Sequence, residues 1–185
     1  MKHQTLWALF LSVILMSAIP VPAAASAKKP TGKISDLAAF SKIHSYCVDS
    51  SDLPGDEALD VKRFVSNENK PKYLLSKLPW TLVSDCENGS PDVTLRMEFQ
   101  KFAPNHQNAP AEGEAYTIRA YLRLSQDSSS PTLYEVEAAP TNNSMGAMSD
   151  APMNDPLAVQ RYDAVYTAFW MLVEDVKRVS QMNAK

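Results

Sequence analysis

Glycine is scarce in this sequence of 185 residues, which contains five of them. A phosphate-binding loop or a nucleophile elbow needs glycines a few positions apart, because the backbone turns sharply beside the ligand or the reactive serine. The glycines stand far from one another, at Gly32, Gly55, Gly89, Gly113 and Gly146. The sequence therefore predicts neither a nucleotide-binding loop nor a serine hydrolase.

Histidine is also rare, with three in the whole chain. His44 and His106 follow the amino-terminal apolar segment, so few groups are available as a general base at neutral pH. His44 precedes Cys47 by three positions, and on a strand this odd spacing sends the two side chains to opposite faces. We predict no catalytic residue, no metal site and no cofactor. A hydrolase that uses only carboxylates stays open as an alternative, because 21 acidic residues are present and spacing distinguishes no pair of them.

An excess of basic residues is missing as well. Lys and Arg total 18 against 21 Asp and Glu, and the formal net charge is -3. Binding to nucleic acid requires clustered Lys and Arg to contact phosphates, and no such cluster is visible. We therefore expect no nucleic-acid partner.

The long apolar run is confined to the start of the chain. A short polar and basic segment precedes residues 6–21, and small residues at 23–27 fit the positions that a signal peptidase reads. We predict a signal peptide over residues 1–27 and an exported protein, periplasmic or secreted. The alternative is a retained anchor, but Pro20 and Pro22 interrupt the run before it reaches the ~20 apolar residues that span a bilayer. We expect no integral membrane segment after signal removal.

Cysteine occurs twice, at Cys47 and Cys86, in the part of the chain predicted to be exported. In an oxidising compartment an isolated pair most simply forms a disulfide. Closing a loop of about 40 residues stabilises a fold by ~4 kcal/mol in the chain-entropy model. Two buried free thiols or a metal-binding pair are the alternatives.

Three segments alternate apolar and polar residues with a period of two, which is typical of strands with one buried face. In residues 91–99 the apolar set is Val93, Leu95, Met97 and Phe99. Residues 116–124 and 132–138 repeat the pattern, and residues 43–49 and 80–84 also favour strands. We predict a mainly antiparallel sheet of about five strands.

Helical spacing predicts a layer of helices. Residues 58–65 and the residues after Pro71 favour two short helices, and a long helix is expected to begin at Asp155-Pro156. The fold class that follows is α+β, a two-layer sandwich with helices on one face of the sheet. We interpret residues 28–42 as a flexible leader, with a short helical turn within residues 34–40, and residues 43–182 as a single domain.

The polar face of the predicted sheet supplies a candidate binding face. Its residues are Arg96, Arg119, Tyr121 and Arg123. Arg and Tyr are enriched in protein interfaces. An ordinary solvated sheet face has a similar composition, and three glutamates are placed to neutralise the arginines across neighbouring strands. These are Glu98, Glu135 and Glu137.

A loop over residues 139–155 contains Met145, Met148 and Met153. Thioethers are soft ligands suited to Cu(I), so copper binding is a further alternative function. The simpler interpretation is that methionine occurs in an irregular loop, because no histidine or cysteine is nearby in sequence.

Four features stand in a characteristic order: a signal segment, a strand at residues 43–49, helices, and a long final helix. Between the helical regions lie Trp80-Thr81-Leu82-Val83 and Ser90-Pro91-Asp92-Val93-Thr94-Leu95. This layout resembles bacterial envelope domains of the TolB amino-terminal and curli-secretion type over most of the mature chain. The chain departs from that type in lacking a lipid-attachment cysteine, in carrying a cysteine pair and in the break at Pro71.

The resemblance implies a non-enzymatic role in envelope assembly or binding, and it transfers no functional residues. We therefore predict an exported binding or accessory module with an envelope protein as its partner. A secreted carboxylate-dependent hydrolase and a copper-binding protein are the alternatives.

Overall fold

The computed structural model of the chain describes residues 31–66, 70–102, 117–127, 129–140 and 156–184. The predicted signal peptide, His106 and the three methionines of the 139–155 loop lie outside these ranges. The strands are β1 (Lys33–Ile34), β2 (Ser45–Asp49), β3 (Thr81–Leu82), β4 (Val93–Phe102), β5 (Thr117–Ser125) and β6 (Tyr134–Ala138). The helices are α1 (Leu37–Phe40), α2 (Gly55–Ser66), α3 (Lys70–Leu75) and α4 (Pro156–Asn183). The fold class is α+β, as predicted.

The strands form one mixed sheet in the order β1-β6-β5-β4-β2-β3. Antiparallel pairing joins β1 to β6, β6 to β5 and β5 to β4, whereas β2 is parallel to both β3 and β4. The prediction of about five mainly antiparallel strands was therefore wrong in number and in direction. The alternation of side chains reports which face is buried, but it carries no information about strand direction. The chain passes through α2 and α3 after β2 and returns in the same direction.

Residues 31–42 were predicted as part of a flexible leader, but in the structure they carry β1 and α1. Lys33 pairs with Glu135 of β6, and the side chain of Asp36 accepts a hydrogen bond from the Ala39 N–H and so caps α1. Phe40 then enters the core. The short helical turn predicted within residues 34–40 is confirmed by α1. A strand of two residues has no periodicity, so the sequence pattern missed β1.

The helices lie on the apolar face of the sheet. Helix α4 packs against β5 and β6, and α2 packs against α4, with Phe169 of α4 stacked on Phe64 of α2. A buried ion pair, 2.7 Å from Arg161 Nε to Asp60 Oδ2, joins α2 to α4. The predicted start of α4 at Pro156 is confirmed.

No helix among the described residues combines the length and the apolar character that a membrane crossing needs.

Asp175 of α4 ties the amino-terminal part of the described chain to its last helix. The carboxylate accepts hydrogen bonds from the Thr31 N–H at 2.8 Å, the Gly32 N–H at 2.7 Å and the Tyr134 hydroxyl at 3.0 Å. Arg178 Nη1 lies 2.9 Å from the same carboxylate, which is fully buried. Backbone, tyrosine and guanidinium donors thus converge on one buried acid, which satisfies its need for partners.

Candidate binding surface on the polar face of the sheet

The four residues predicted as a binding face lie together on the side of the sheet away from the helices. Arg96 of β4 lies opposite Arg123 of β5, and the next polar pair is Glu98 opposite Tyr121. Arg119 occupies the following polar position of β5. The period of two thus placed all four side chains correctly. We use the term polar face for this side of β2, β4, β5 and β6.

Glutamates compensate the arginines of the polar face. Arg123 bridges two strands, with Nη1 2.7 Å from Glu98 Oε2 and Nε 2.9 Å from Glu135 Oε1. Arg119 forms an ion pair with Glu137. The predicted matching of charges across neighbouring strands is therefore confirmed. Partly exposed pairs of this kind contribute at most about 1 kcal/mol each, so they orient the side chains more than they stabilise the fold.

The acids of the polar face are held in their charged form. Hydrogen bonds from Gln100 and then Arg123 lower the pKa of Glu98. For Asp49, partial burial acts to raise the pKa, but hydrogen bonds from Ser51 and Arg96 outweigh it and the pKa is lowered. Arg96 Nε lies 3.1 Å from Asp49 Oδ2. Carboxyls with lowered pKa values are poor proton donors near neutral pH.

An open cavity of about 350 Å³ lies on the polar face. Its volume is within the range of small-molecule sites, but its walls carry mainly charged and hydroxyl groups rather than the usual apolar lining. The lining residues are Asp49, Asp52, Leu53, Arg96, Met97, Glu98, Tyr121, Arg123, Ser125, Ser130 and Thr132. Three of the four predicted residues therefore line one concave surface, and Arg119 lies outside it.

The sequence pattern missed the parts of the cavity that come from loops. Asp52 and Leu53 follow β2, and Ser130 and Thr132 precede β6. These segments have no period of two, so the alternation gave no indication that they meet over the sheet. Turn-forming residues directly after a predicted strand were the one signal that a loop begins there.

The predicted disulfide between Cys47 and Cys86 is present in the structure. The S–S distance is 2.09 Å and the two Cα atoms are 5.4 Å apart, within the usual range for a disulfide. Cys47 lies on the polar side of β2, with Sγ 3.7 Å from Thr94 Oγ1 of β4. The bridge attaches the segment after the edge strand β3 to its neighbour β2.

The described residues contain no group of three or more His, Cys, Asp and Glu side chains that could hold a metal ion. His44 Nδ1 lies 3.8 Å from Asp92 Oδ2 in an exposed position. Cys47 is bonded to Cys86 instead of sharing a site with His44. The candidate copper ligands of the 139–155 loop lie outside the described residues, so that alternative stays a prediction.

Neither known protein families nor curated proteins gave a match to the chain when they were compared with it. The resemblance to envelope domains of the TolB amino-terminal and curli-secretion type stays a prediction.

Proposed function

We propose that this protein is an exported, periplasmic, non-enzymatic binding or accessory module of the cell envelope, and that it binds its partner on the polar face. The observation that supports this proposal is the cavity between Asp52, Tyr121 and Ser130. It is built on a rigid sheet and rimmed by two loops, as binding sites commonly are. Tyr121 supplies an aromatic surface within a rim of charged and hydroxyl groups, a composition that interfaces favour.

A binding role fits the electrostatics of the cavity better than acid-base catalysis does. Asp49 and Glu98 are each bonded to an arginine, and both have lowered pKa values. A carboxylate-dependent hydrolase needs one carboxyl that keeps its proton near neutral pH. These two acids lack that property, which favours recognition over proton transfer at this surface.

Export is supported by the disulfide and by the predicted signal peptide. Disulfides persist in oxidising compartments and are rare where thiols are kept reduced. The bridge between Cys47 and Cys86 therefore suits a periplasmic or secreted protein. The resemblance to envelope domains, with its expected helix layer on one sheet face, directs the proposal to the cell envelope.

The test is photocrosslinking in cells that produce the protein. A photoreactive phenylalanine analogue replaces Tyr121, and the matched control carries the same analogue at Gln126, an exposed residue just after β5. We expect a discrete crosslinked protein at Tyr121 and none at Gln126. Equal labelling at both positions, or none at either, contradicts the polar face as the binding surface.

A further inference from the structure

Strand β4, with 10 residues, is twice as long as its neighbour β2, with 5. On one edge, β4 pairs with β5 from Thr94 to Phe102. On the other edge, β2 follows it only from Val93 to Arg96, because β2 ends at Asp49. Beyond Arg96 this second edge has no strand beside it among the described residues. The described elements that contact β4 extensively are β5 and β2, so no described helix covers the edge.

The direction of the backbone groups on this edge follows from the pairing of β2. The Thr81 N–H donates to the His44 carbonyl and the Val83 N–H donates to the Tyr46 carbonyl, so even-numbered residues of β2 face β3. Odd-numbered residues of β2 therefore face β4. Cys47 lies opposite Thr94 of β4. In a parallel ladder, the backbone N–H and C=O of Cys47 form hydrogen bonds to the residues before and after Thr94.

Odd-numbered residues of β4 consequently turn their N–H and C=O groups toward β2. Past the end of β2, the Met97 carbonyl and both backbone groups of Phe99 point away from the sheet. Within the part of the chain that the structure describes, no hydrogen bond to these three groups is found. An open strand edge of this kind is a template for another strand.

The cavity of the polar face reaches this edge. The Met97 side chain belongs to the apolar core, yet Met97 lines the cavity together with Leu53 and Glu98. The main chain of β4 is thus accessible from the cavity at the place where β2 turns away. We infer that the edge of β4 at Met97 to Phe99 binds an extended peptide segment of the partner protein. This segment lies beside β4 as a continuation of β2. This inference rests on the proposed function in that the partner is the one bound on the polar face.

The surroundings of the edge define the chemistry of the peptide. Three carboxylates line the cavity against two guanidinium groups, and Asp52 is an exposed carboxylate with no ion pair among the described residues. Successive side chains of an added strand point to opposite faces. One set lies on the apolar side of β4 with Phe99, and the other lies on the polar face with Asp52 and Glu98. The segment that fits alternates apolar and basic residues, in the manner of strand addition to a sheet edge.

Amide hydrogen exchange of the mature protein tests the open edge and its occupant together. The probe is a synthetic peptide of about eight residues in which valine alternates with lysine, and glutamate replaces lysine in the control peptide. In the free protein, we expect the Phe99 amide to exchange fast and the Gln100 amide, which faces β5, to exchange slowly. The lysine peptide should slow exchange at Phe99 by about ten-fold or more and leave Gln100 unchanged, and the glutamate peptide should bind more weakly.

Three results of the exchange experiment overturn the inference. The first is protection of the Phe99 amide in the free monomer equal to that of Gln100. The second is protection that rises with protein concentration together with dimer formation in sedimentation, which assigns the edge to a second copy of the chain. The third is no slowing at Phe99 with the lysine peptide at millimolar concentration.

A pair of variants connects the edge to the cellular partner. Both variants, Phe99→Ala and Phe99→Pro, remove the aromatic ring, but only proline also removes the N–H that points away from the sheet. An edge strand tolerates proline where no hydrogen bond of the sheet is lost. We expect the lysine peptide to bind the proline variant about ten-fold more weakly than the alanine variant. The crosslink from Tyr121 should be lost in the proline variant alone.

The two proposals fail in different ways. A Tyr121 crosslink that survives equally in both variants overturns the edge and leaves the polar face as the binding surface. Absence of any crosslink from position 121 in the chain that keeps Phe99 contradicts the proposed function. The exchange experiment then still decides whether the edge of β4 binds a peptide. Near-ultraviolet circular dichroism of both variants confirms that they are folded.

Discussion

Replacing Asp175 with asparagine should lower the free energy of unfolding by about 3–5 kcal/mol. This is the cost of breaking a buried ion pair by removing the charge of one partner, here the carboxylate that faces Arg178. The asparagine keeps the shape but has one acceptor oxygen, and its NH₂ group meets donors that the carboxylate had satisfied. The Thr31 and Gly32 N–H groups, the Tyr134 hydroxyl and Arg178 all point at this side chain. Each hydrogen bond to a charged group contributes about 1.5–3 kcal/mol, so a loss of this size follows even if half of them are kept.

The assay is urea unfolding at neutral pH, followed by circular dichroism. With a slope of about 1–3 kcal/mol per molar urea, the midpoint should fall by roughly 2 M. The matched control is Glu174→Gln at the neighbouring position. Glu174 Oε1 pairs with Lys177 Nζ at 2.7 Å on the outer surface of α4, and this pair contributes about 0.5 kcal/mol or less. A loss below about 1 kcal/mol in the Asp175 variant, or one no larger than in the control, refutes the anchoring role of Asp175.

Three further predictions concern the disulfide, a close contact and alkaline pH. Alanine at both Cys47 and Cys86 should lower the free energy of unfolding by ~4 kcal/mol, and reductant should destabilise the wild-type protein by the same amount without affecting the variant. Gly32→Ala brings a Cβ against the buried ring of Tyr134 and should cost about 1–3 kcal/mol, which an unchanged melting temperature would contradict. Burial raises the pKa of Tyr46 from 10.0 to about 12 and also raises that of Tyr134. Both hydroxyls keep their proton to higher pH in the folded state than in the unfolded state, so the free energy of unfolding is at its full value below pH ~10. By pH ~11 it should fall by almost 3 kcal/mol. Tyr46→Phe should remove about half of that fall, as measured by urea titrations at the two pH values.

The sequence predicted the polar face well because its signal does not depend on topology. Arg96, Tyr121 and Arg123 alternate with apolar residues, and alternation alone decides which side of a sheet a residue occupies. Whether β2 and β4 run in the same direction is decided by the crossover through the helices, which leaves no trace in the alternation. The face of the sheet was therefore predictable and the mixed direction of its strands was not.

Strand β1 and the role of the buried acid Asp175 were missed for different reasons. Lys33–Ile34 forms a strand because β6 is beside it, and two residues show no period of their own. Asp175 had a signal that was not used, since it lies at helical spacing between Leu172 and Val179 on the buried side of α4. A carboxylate in such a position indicates donors from elsewhere in the fold.

The bond between Thr31 and Asp175 also predicts the order in which the fold is completed. The two residues are 144 positions apart, so β1 has no anchor in α4 until nearly the whole chain has been synthesised. Contacts between such distant positions form late, because the loop that they close is entropically costly. We therefore expect β1 and α1 to be the last elements to join the domain.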